Sequence, residues 1–234
     1  MDRSRQNEWK QAAAEEAAKL VENGMVLGIG TGSTAAFFIE ALAQRISREG
    51  LRIAGIPTSE ETAEHARRLN IPLTSFADHT QIDMTVDGAD EVQVETLFLI
   101  KGHGGALLRE KIVASSSKWM VVIADDTKLV QRLGSLCPVP VEVVQFGWQS
   151  TERKLQKIGA KTALRMDSSG QPFRTDSGNY IIDCDFGAMQ DPKETAHNLD
   201  HVVGSVEHGL FLKYASQVLI GGRDGVRTLM RVNS

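Results

Sequence analysis

The glycine-rich sequence KGHGG at residues 101–105, followed by an acidic residue at Glu110, combines residue types that can transfer protons. So many glycines in a short loop are costly unless the backbone needs unusual angles or a close approach to a ligand. A carboxylate on the element that follows can act as a base, and a cation beside it can stabilise developing negative charge. Considered alone, however, Glu110 is better explained as part of a solvated helix face that also carries Arg109 and Lys111.

The sequence DGAD at residues 87–90 places two carboxylates around a Gly-Ala turn. It directly follows a short apolar run that predicts a buried strand, and open α/β sheets bind ligands at the carboxyl ends of their parallel strands. Asp-Gly is also a common turn dipeptide. On these residues alone, a ligand site and a plain surface turn are equally favoured.

The sequence GTGST at residues 30–34 lies between a predicted strand and a predicted helix. Free N–H groups and the positive end of the helix dipole bind anions at such a position, and the glycines allow close approach. The alternative is a turn that only caps the helix. The run has neither the GK[ST] of a Walker loop nor the full GxGxxG spacing, so nucleotide and dinucleotide binding are disfavoured.

The histidines and cysteines form no convincing metal or redox site. His197 and His201 are spaced for metal binding on a helix, but no HExxH frame accompanies them, which favours a structural or surface role. Cys137 and Cys184 form neither a CxxC pair nor a disulfide framework, as is typical of a reducing compartment. We therefore expect no metal, no cofactor and a cytoplasmic location.

The bulk composition is that of a globular protein with a sizeable core. The 234 residues are 41% hydrophobic and 24% charged, and the formal net charge is -4. Nucleic-acid-binding proteins normally carry a basic excess or a basic stripe, which this sequence lacks. Its longest apolar runs are far too short to span a bilayer. We therefore expect neither a nucleic-acid partner nor a membrane partner.

Alternating strands and helices are predicted to position the three loops. Apolar runs predict strands over residues 25–29, 52–57, 84–86 and 119–124. Helical patterns precede or follow them over residues 8–22, 35–48, 59–70 and 106–117. This alternation predicts a Rossmann-like α/β fold, in which helices flank a mostly parallel sheet.

The pattern changes after residue 134. Two prolines make residues 136–140 a predicted connector, because proline breaks a central strand. Beyond it, the predicted strands at 141–144, 161–166 and 180–184 and the predicted helices at 149–158 and 192–199 resemble a split βαβ, ferredoxin-like unit. Two strands in the tail, residues 210–232, are expected to return to the main sheet. We therefore predict an α/β catalytic domain, residues 1–135 and 207–234, with a smaller α+β domain, residues 136–206, inserted.

Taken together, these segments resemble the type A ribose-5-phosphate isomerases. The matching stretches run in order along nearly the whole chain: GIGTGST at 28–34, VDGADE at 86–91, IKGHGGA at 100–106, LREKI at 108–112, IADDTK at 123–128, TDSGN at 175–179, HGLF at 208–211 and DGV at 224–226. One departure is visible, because His103 stands where many members have glycine. If that position requires a positive φ, histidine is strained there.

The resemblance implies a metal-independent aldose–ketose isomerase that interconverts ribose 5-phosphate and ribulose 5-phosphate by proton transfer through an enediolate. It also implies a homodimer. Glu110 matches the proton acceptor, and Asp87, Asp90 and Lys101 match the residues that hold the sugar hydroxyls and assist ring opening. The first four of the implied substrate-binding residues surround the phosphate, with Lys128 near it and Lys10 as a second lysine. The full set is Thr31, Gly32, Ser33, Thr34, Asp87, Gly88, Ala89, Asp90, Lys101, Gly102, His103, Gly104, Lys128 and Lys10.

The alternative function is a non-catalytic sugar-phosphate sensor of similar fold. Such a protein would be expected to lose Glu110 or Lys101 and to carry an attached DNA-binding domain. Both residues are present, and we expect no room for a further domain in 234 residues. An amino-sugar-phosphate deaminase and a coenzyme A transferase are disfavoured by the paired DGAD and KGHGG loops.

Overall fold

The computed structural model describes residues 3–231, which form six α-helices and fourteen strands. The helices are α1 (Arg3–Lys19), α2 (Ser33–Glu49), α3 (Glu60–Arg68), α4 (Leu107–Ser115), α5 (Trp148–Lys157) and α6 (Pro192–Asp200). The strands are β1 (Val26–Ile29), β2 (Ala54–Pro57), β3 (Ile82–Gly88), β4 (Glu91–Gln93), β5 (Leu99–Ile100), β6 (Ser117–Asp125), β7 (Leu129–Val130), β8 (Val139–Val143), β9 (Lys161–Leu164), β10 (Tyr180–Asp185), β11 (Ser205–His208), β12 (Leu210–Phe211), β13 (Gln217–Gly222) and β14 (Gly225–Met230).

The main sheet has six strands in the order β14-β13-β6-β3-β1-β2. The five strands from β2 to β13 run parallel, which confirms the predicted mostly parallel α/β sheet. The last strand, β14, forms an antiparallel hairpin with β13, and this hairpin is the predicted return of the tail. No helix within residues 3–231 is long and apolar enough to cross a membrane.

Helices cover both faces of this sheet, and alternate residues of β6 belong to different cores. Val121 and Ile123 pack in the cluster that contains the buried residues of α1 and α2. Met120, Val122 and Ala124 pack in a second cluster that contains a residue of α4. Because side chains alternate across a strand and both faces are buried, β6 reads as a continuous apolar run in the sequence.

The order of the strands creates a switch point between β1 and β3. From β1 the chain crosses to β2 on one side, whereas β3 lies on the other side of β1. Because β1 and β3 are parallel, the loops at residues 30–34 and 88–90 leave the same edge of the sheet. Ligands bind at such a crevice in open α/β sheets.

The second sheet is antiparallel and has the order β11-β8-β10-β9. With α5 and α6 it forms the β-α-β-β-α-β unit that the sequence predicts as ferredoxin-like. The prediction of a connector over residues 136–140 is wrong for its last two residues. They belong to β8, which lies between β11 and β10 and includes Pro140. Proline is tolerated there because it is only the second residue of the strand, and its carbonyl accepts the Gly209 N–H at 2.7 Å.

A third sheet, of four short strands in the order β12-β5-β4-β7, is not anticipated by the sequence. Its strands are two or three residues long, too short to show a period. Glu91 of β4 pairs with Ile100 of β5, and the Asp90 N–H donates to the Ile100 carbonyl at 2.9 Å. This pairing brings Asp90 and Lys101 side by side.

Candidate active site

The loop after β1 brings the start of α2 against the end of β3. Gly32 precedes the helix with a φ of 103°, a left-handed angle that glycine adopts at little cost. A Cβ on Gly30 would lie 2.1 Å from Asp87 Oδ1, so only glycine allows this approach. The Thr31 N–H donates to the same Oδ1 at 3.2 Å. No side chain caps α2 at Gly32, which leaves the helix start open to a ligand.

The hydroxyl groups of this loop have different partners. Thr31 Oγ1 lies 2.7 Å from Thr58 Oγ1 and donates to Ser59 Oγ at 2.9 Å, so its hydroxyl is bonded within the protein. Ser33 Oγ accepts a hydrogen bond from Lys10 Nζ at 3.1 Å. Lys10 is on α1, so two separate helices meet at the loop. Thr31 therefore orders the loop, whereas Ser33 is paired with Lys10 of α1.

Lys101 is the centre of a buried charged cluster and is only 2% exposed. Its Nζ lies 3.0 Å from Asp87 Oδ2 and 3.2 Å from Glu110 Oε1, and it donates to the Gly88 carbonyl at 2.6 Å. Burial lowers the pKa of Lys101, but the charges of Asp87 and Glu110 outweigh burial and raise it above its usual value. Lys101 is therefore a fixed cation.

Glu110 is buried on α4, and burial raises its pKa to about 8. The positive charge of Lys101 opposes this shift, and the negative charges of Asp87 and Asp90 add to it. Within residues 3–231, Glu110 Oε2 has no hydrogen-bond partner. The solvated helix face is therefore a wrong interpretation of Glu110. A carboxylate with a pKa near working pH is suited to accept a proton and return it.

The DGAD turn is part of this cluster rather than a surface turn. Asp87 is fully buried, and burial raises its pKa against the opposing charge of Lys101. Asp90 Oδ2 accepts the main-chain N–H of His103 at 3.1 Å. The turn therefore contacts both the start of α2 and the glycine-rich loop.

The glycine-rich loop places its left-handed angles on glycines. Gly102 has a φ of 101° and Gly105 a φ of 85°, whereas His103 is not among the residues with positive φ. The strain considered for histidine at this position therefore does not arise. His103 Nε2 lies 3.1 Å from the Pro138 carbonyl, so the ring contacts the connector to the smaller sheet.

These elements enclose one cleft at the carboxyl edge of the main sheet. It is lined by Lys10, Thr31, Gly32, Ser33, Thr34, Gly88, Ala89, Asp90, Lys101, Gly102, Gly104, Glu110 and Lys128. Two of the residues named from the sequence are not on its wall. Asp87 is buried against Lys101, and the ring of His103 lies against Pro138.

Sequence reasoning missed several residues that hold this site. Thr58 and Ser59 bond Thr31, and Arg165 donates to the carbonyls of Gly102 and His103. Ser59 shows a weak signal, since it precedes a helix and caps it. Arg165 shows none, because nothing in its local sequence indicates a contact with a loop more than sixty positions away.

One trio of possible metal ligands exists among the described residues. Oxygen and nitrogen atoms of Asp200, Glu207 and His208 lie within 4.8 Å of one another. Lys111 Nζ already lies 2.7 Å from Glu207 Oε1 and 3.5 Å from His208 Nδ1. Burial, with the charge of Lys111, lowers the pKa of His208 to about 3. Lys111 thus already pairs with Glu207 and lies beside His208, and we assign no metal to the trio.

Comparison with known proteins identifies relatives along nearly the whole chain. Residues 54–225 match the family described as ribose 5-phosphate isomerase A (phosphoriboisomerase A). Ribose-5-phosphate isomerase A of Synechococcus sp. (strain JA-3-3Ab) is 51% identical over 223 residues, which are 95% of this chain and 97% of the relative. That of Gluconobacter oxydans (strain 621H) is 54% identical over 221 residues, 94% of this chain and 95% of the relative.

Solved structures agree with these relatives. Ribose 5-phosphate isomerase A from Methanocaldococcus jannaschii has a TM-score of 0.92 and 43% identity, covering 95% of this chain and 98% of its own. A D-ribose-5-phosphate isomerase in complex with phospho-erythronic acid has a TM-score of 0.92 and 41% identity, covering 96% of this chain and 98% of its own. The chain belongs to the ribose 5-phosphate isomerase A family.

Proposed function

We propose that the protein interconverts D-ribose 5-phosphate and D-ribulose 5-phosphate, with Glu110 as the base that carries the proton between C2 and C1. Family membership supports the substrate. One observation supports the base: Glu110 is a buried carboxylate on the cleft wall, with a free oxygen and a pKa raised to about 8.

In the open-chain aldose, Glu110 takes the proton from C2 as the C1 carbonyl oxygen gains negative charge. Return of that proton to C1, with the O2 hydroxyl proton passing to O1, gives the ketose. Lys101 stabilises the enediolate because it stays charged, and Asp90 offers a carboxylate to the sugar hydroxyls. A glutamate has the same role in triosephosphate isomerase.

The phosphate is proposed to bind at the start of α2. Ser33 and Thr34 at the start of this helix line the cleft together with Lys10 and Lys128, and Lys10 Nζ donates to Ser33 Oγ. The main-chain N–H groups, the hydroxyls and the two ammonium groups are suited to bind a phosphate. The relative solved with phospho-erythronic acid supports a phosphorylated sugar derivative as the ligand.

A sensor without turnover is the weaker alternative. A buried carboxyl oxygen without a hydrogen-bond partner costs free energy. A base must keep one oxygen free for the substrate, and this need accounts for that cost. Glu110 Oε2 is unpaired among the described residues, which favours the enzyme.

We also propose that the protein is a cytoplasmic homodimer. The two free cysteines, Cys137 and Cys184, support a reducing compartment. The dimer rests on the resemblance to the family. Light scattering of the purified protein tests it, with an expected mass of twice the 25.6 kDa of one chain. A single-chain mass at micromolar concentration would contradict it.

The activity is tested by incubating the pure protein with ribose 5-phosphate and measuring ketose. We expect turnover, and we expect it to persist after exhaustive treatment with EDTA because proton transfer by Glu110 needs no metal. Absence of ketose would contradict the proposed function. Loss of activity with EDTA, restored by one specific divalent ion, would contradict the metal-independent mechanism.

A further inference from the structure

Arg165 reaches from the smaller sheet to the glycine-rich loop of the cleft. It follows β9, and its NH1 group donates to the carbonyls of Gly102 and His103, each at 3.0 Å. Its Nε donates to Asp183 Oδ2 at 3.0 Å, and its NH2 donates to the other carboxylate oxygen. Asp183 on β10 therefore holds the guanidinium plane in the two-pronged geometry that arginine, but not lysine, allows.

These two bonds determine which way the loop peptides face. In a trans peptide, the carbonyl and the following N–H point in opposite directions. With the Gly102 carbonyl on Arg165, the His103 N–H points the other way and donates to Asp90 Oδ2 at 3.1 Å. With the His103 carbonyl on Arg165, the Gly104 N–H likewise points away from the guanidinium. Asp90 and Gly104 are both on the cleft wall.

The loop needs such support because its own conformation is weakly determined. Glycine has more backbone freedom than any other residue, and this loop has left-handed angles at Gly102 and Gly105. Phe173 packs against Gly105 so closely that a Cβ there would lie 2.5 Å from the ring. Phe173 and Arg165 both lie between β8 and β11, in the unit that contains the smaller sheet. This unit therefore stabilises the loop from outside the cleft.

We propose that Arg165, oriented by Asp183, is a positioning residue for the isomerase: it holds the peptides of residues 102–104 so that Asp90 and the Gly104 N–H face the substrate. The proposal rests on the proposed function. Arg165 is not among the described residues that line the cleft, so it acts through the loop rather than on the sugar.

Arg45 provides a matched control. Its NH1 group donates to the carbonyls of Ala18 and Val21 at 2.6 and 2.8 Å, and its Nε donates to Glu49 at 2.9 Å. It thus makes the same kinds of bond as Arg165. It lies near the far end of α2, about 18 Å from the helix start at the usual rise per residue.

The test compares Arg165→Met with Arg45→Met by kcat, KM and melting temperature. Small displacements of a catalytic array cost up to about 10²-fold in rate, so we expect Arg165→Met to lose about 10- to 10²-fold in kcat. KM should change less, because the phosphate is held elsewhere. At temperatures at which it is folded, Arg45→Met should have the kcat of the wild-type protein. Arg165→Lys, with a point charge instead of a fork, should recover part of the loss.

Asp183→Asn keeps the experiment decisive if Arg165→Met does not fold. It preserves size and removes the charge that orients the guanidinium, so kcat should fall while the protein remains folded. A wild-type kcat in folded Arg165→Met would overturn the proposal. If that variant does not fold, a wild-type kcat in both single variants, Arg165→Lys and Asp183→Asn, would overturn it. No turnover by the wild-type protein would instead contradict the proposed function, so the two failures are distinguishable.

Discussion

Two buried lysines, Lys101 and Lys111, lie beside acidic side chains in this protein, and only one of them belongs to the cleft. Burial lowers the pKa of both. For Lys101 the charges of Asp87 and Glu110 more than reverse this effect, whereas for Lys111 burial outweighs the charge of Glu207 and the pKa stays lowered. Lys111 donates to Glu207 Oε1 at 2.7 Å and to the His208 carbonyl at 2.6 Å.

The difference lies in what each cluster leaves unpaired. Around Lys111, the described residues leave no buried polar side-chain atom without a hydrogen-bond partner. Around Lys101, Glu110 Oε2 is buried without a hydrogen-bond partner among the described residues, and Glu110 is part of the cleft wall. A cluster whose polar atoms all have hydrogen-bond partners stabilises the packing of its elements, and here it joins α4 to β11. An unsatisfied one is destabilising and is retained where a substrate completes it.

The largest expected effect comes from Glu110→Gln. The amide keeps the shape of the side chain but cannot accept the C2 proton, and a positioned base contributes about 10²- to 10⁴-fold to the rate. We expect kcat to fall by this factor while the protein still binds ribose 5-phosphate. Glu207→Gln, at the other lysine, is the matched control and should retain its turnover. Similar kcat values for Glu110→Gln and wild type would remove Glu110 from its role.

Replacing each lysine by methionine compares how much the two clusters contribute to the free energy of unfolding. Lys101→Met leaves Asp87 and Glu110 buried without their cation, and breaking a buried ion pair costs about 3–5 kcal/mol in the free energy of unfolding. In Lys111→Met, water can solvate the partner, because the Glu207 side chain is 24% exposed. Chemical denaturation should therefore show the larger loss for Lys101→Met, together with loss of kcat. Equal losses in both variants would contradict the account.

A smaller effect is expected from Lys128→Ala at the phosphate end of the cleft. One charge-assisted hydrogen bond contributes about 1.5–3 kcal/mol, which corresponds to roughly 10- to 10²-fold in kcat/KM for ribose 5-phosphate. Ribose without its phosphate should be a poor substrate for wild type, and its kcat/KM should fall little further in Lys128→Ala. Lys118→Ala, at the opposite end of β6, is the control. An equal loss for both sugars would mean that Lys128 is no phosphate ligand.

The last prediction concerns the pH dependence of the wild-type protein. Glu110 must be ionised to act as a base, and its pKa is raised to about 8, so kcat/KM should rise with pH, reach half its maximum near pH 8 and level off about one pH unit higher. The folded state also holds this proton more tightly than the unfolded state, so the contribution of Glu110 to stability falls as pH rises between about 4.5 and 8. A flat pH–rate profile from pH 6 to 9 would contradict the raised pKa.

The fold was predictable from the sequence because its signals are local. Alternating apolar runs and helical periods predict β1, β2, β3 and β6 to within two residues at each end, and the ordered motifs indicate the family. The sequence also places residues 87–90 at the carboxyl end of a predicted strand, where open α/β sheets bind ligands. The third sheet escaped prediction because strands as short as β5 and β12 carry no periodic signal.

Parts of the site were not predictable because they depend on tertiary packing. Nothing local to Glu110 indicates that it is buried, and a charged helix triplet usually faces water. The Thr31 hydroxyl looks like a ligand donor in sequence, but it is bonded to Thr58 and Ser59 from another loop. Arg165 is more than sixty positions from the loop it contacts, so only the structure reveals the contact.

The central claim is that Glu110 moves the proton between C2 and C1. The most direct measurement is to convert ribose 5-phosphate in deuterated water and to determine deuterium at C1 of the ribulose 5-phosphate by NMR. A proton held by a carboxylate exchanges with solvent, so the account predicts carbon-bound deuterium at C1 in a measurable fraction of the product. Full turnover with no deuterium at C1 would contradict it, since the hydrogen would then have passed directly between the carbons.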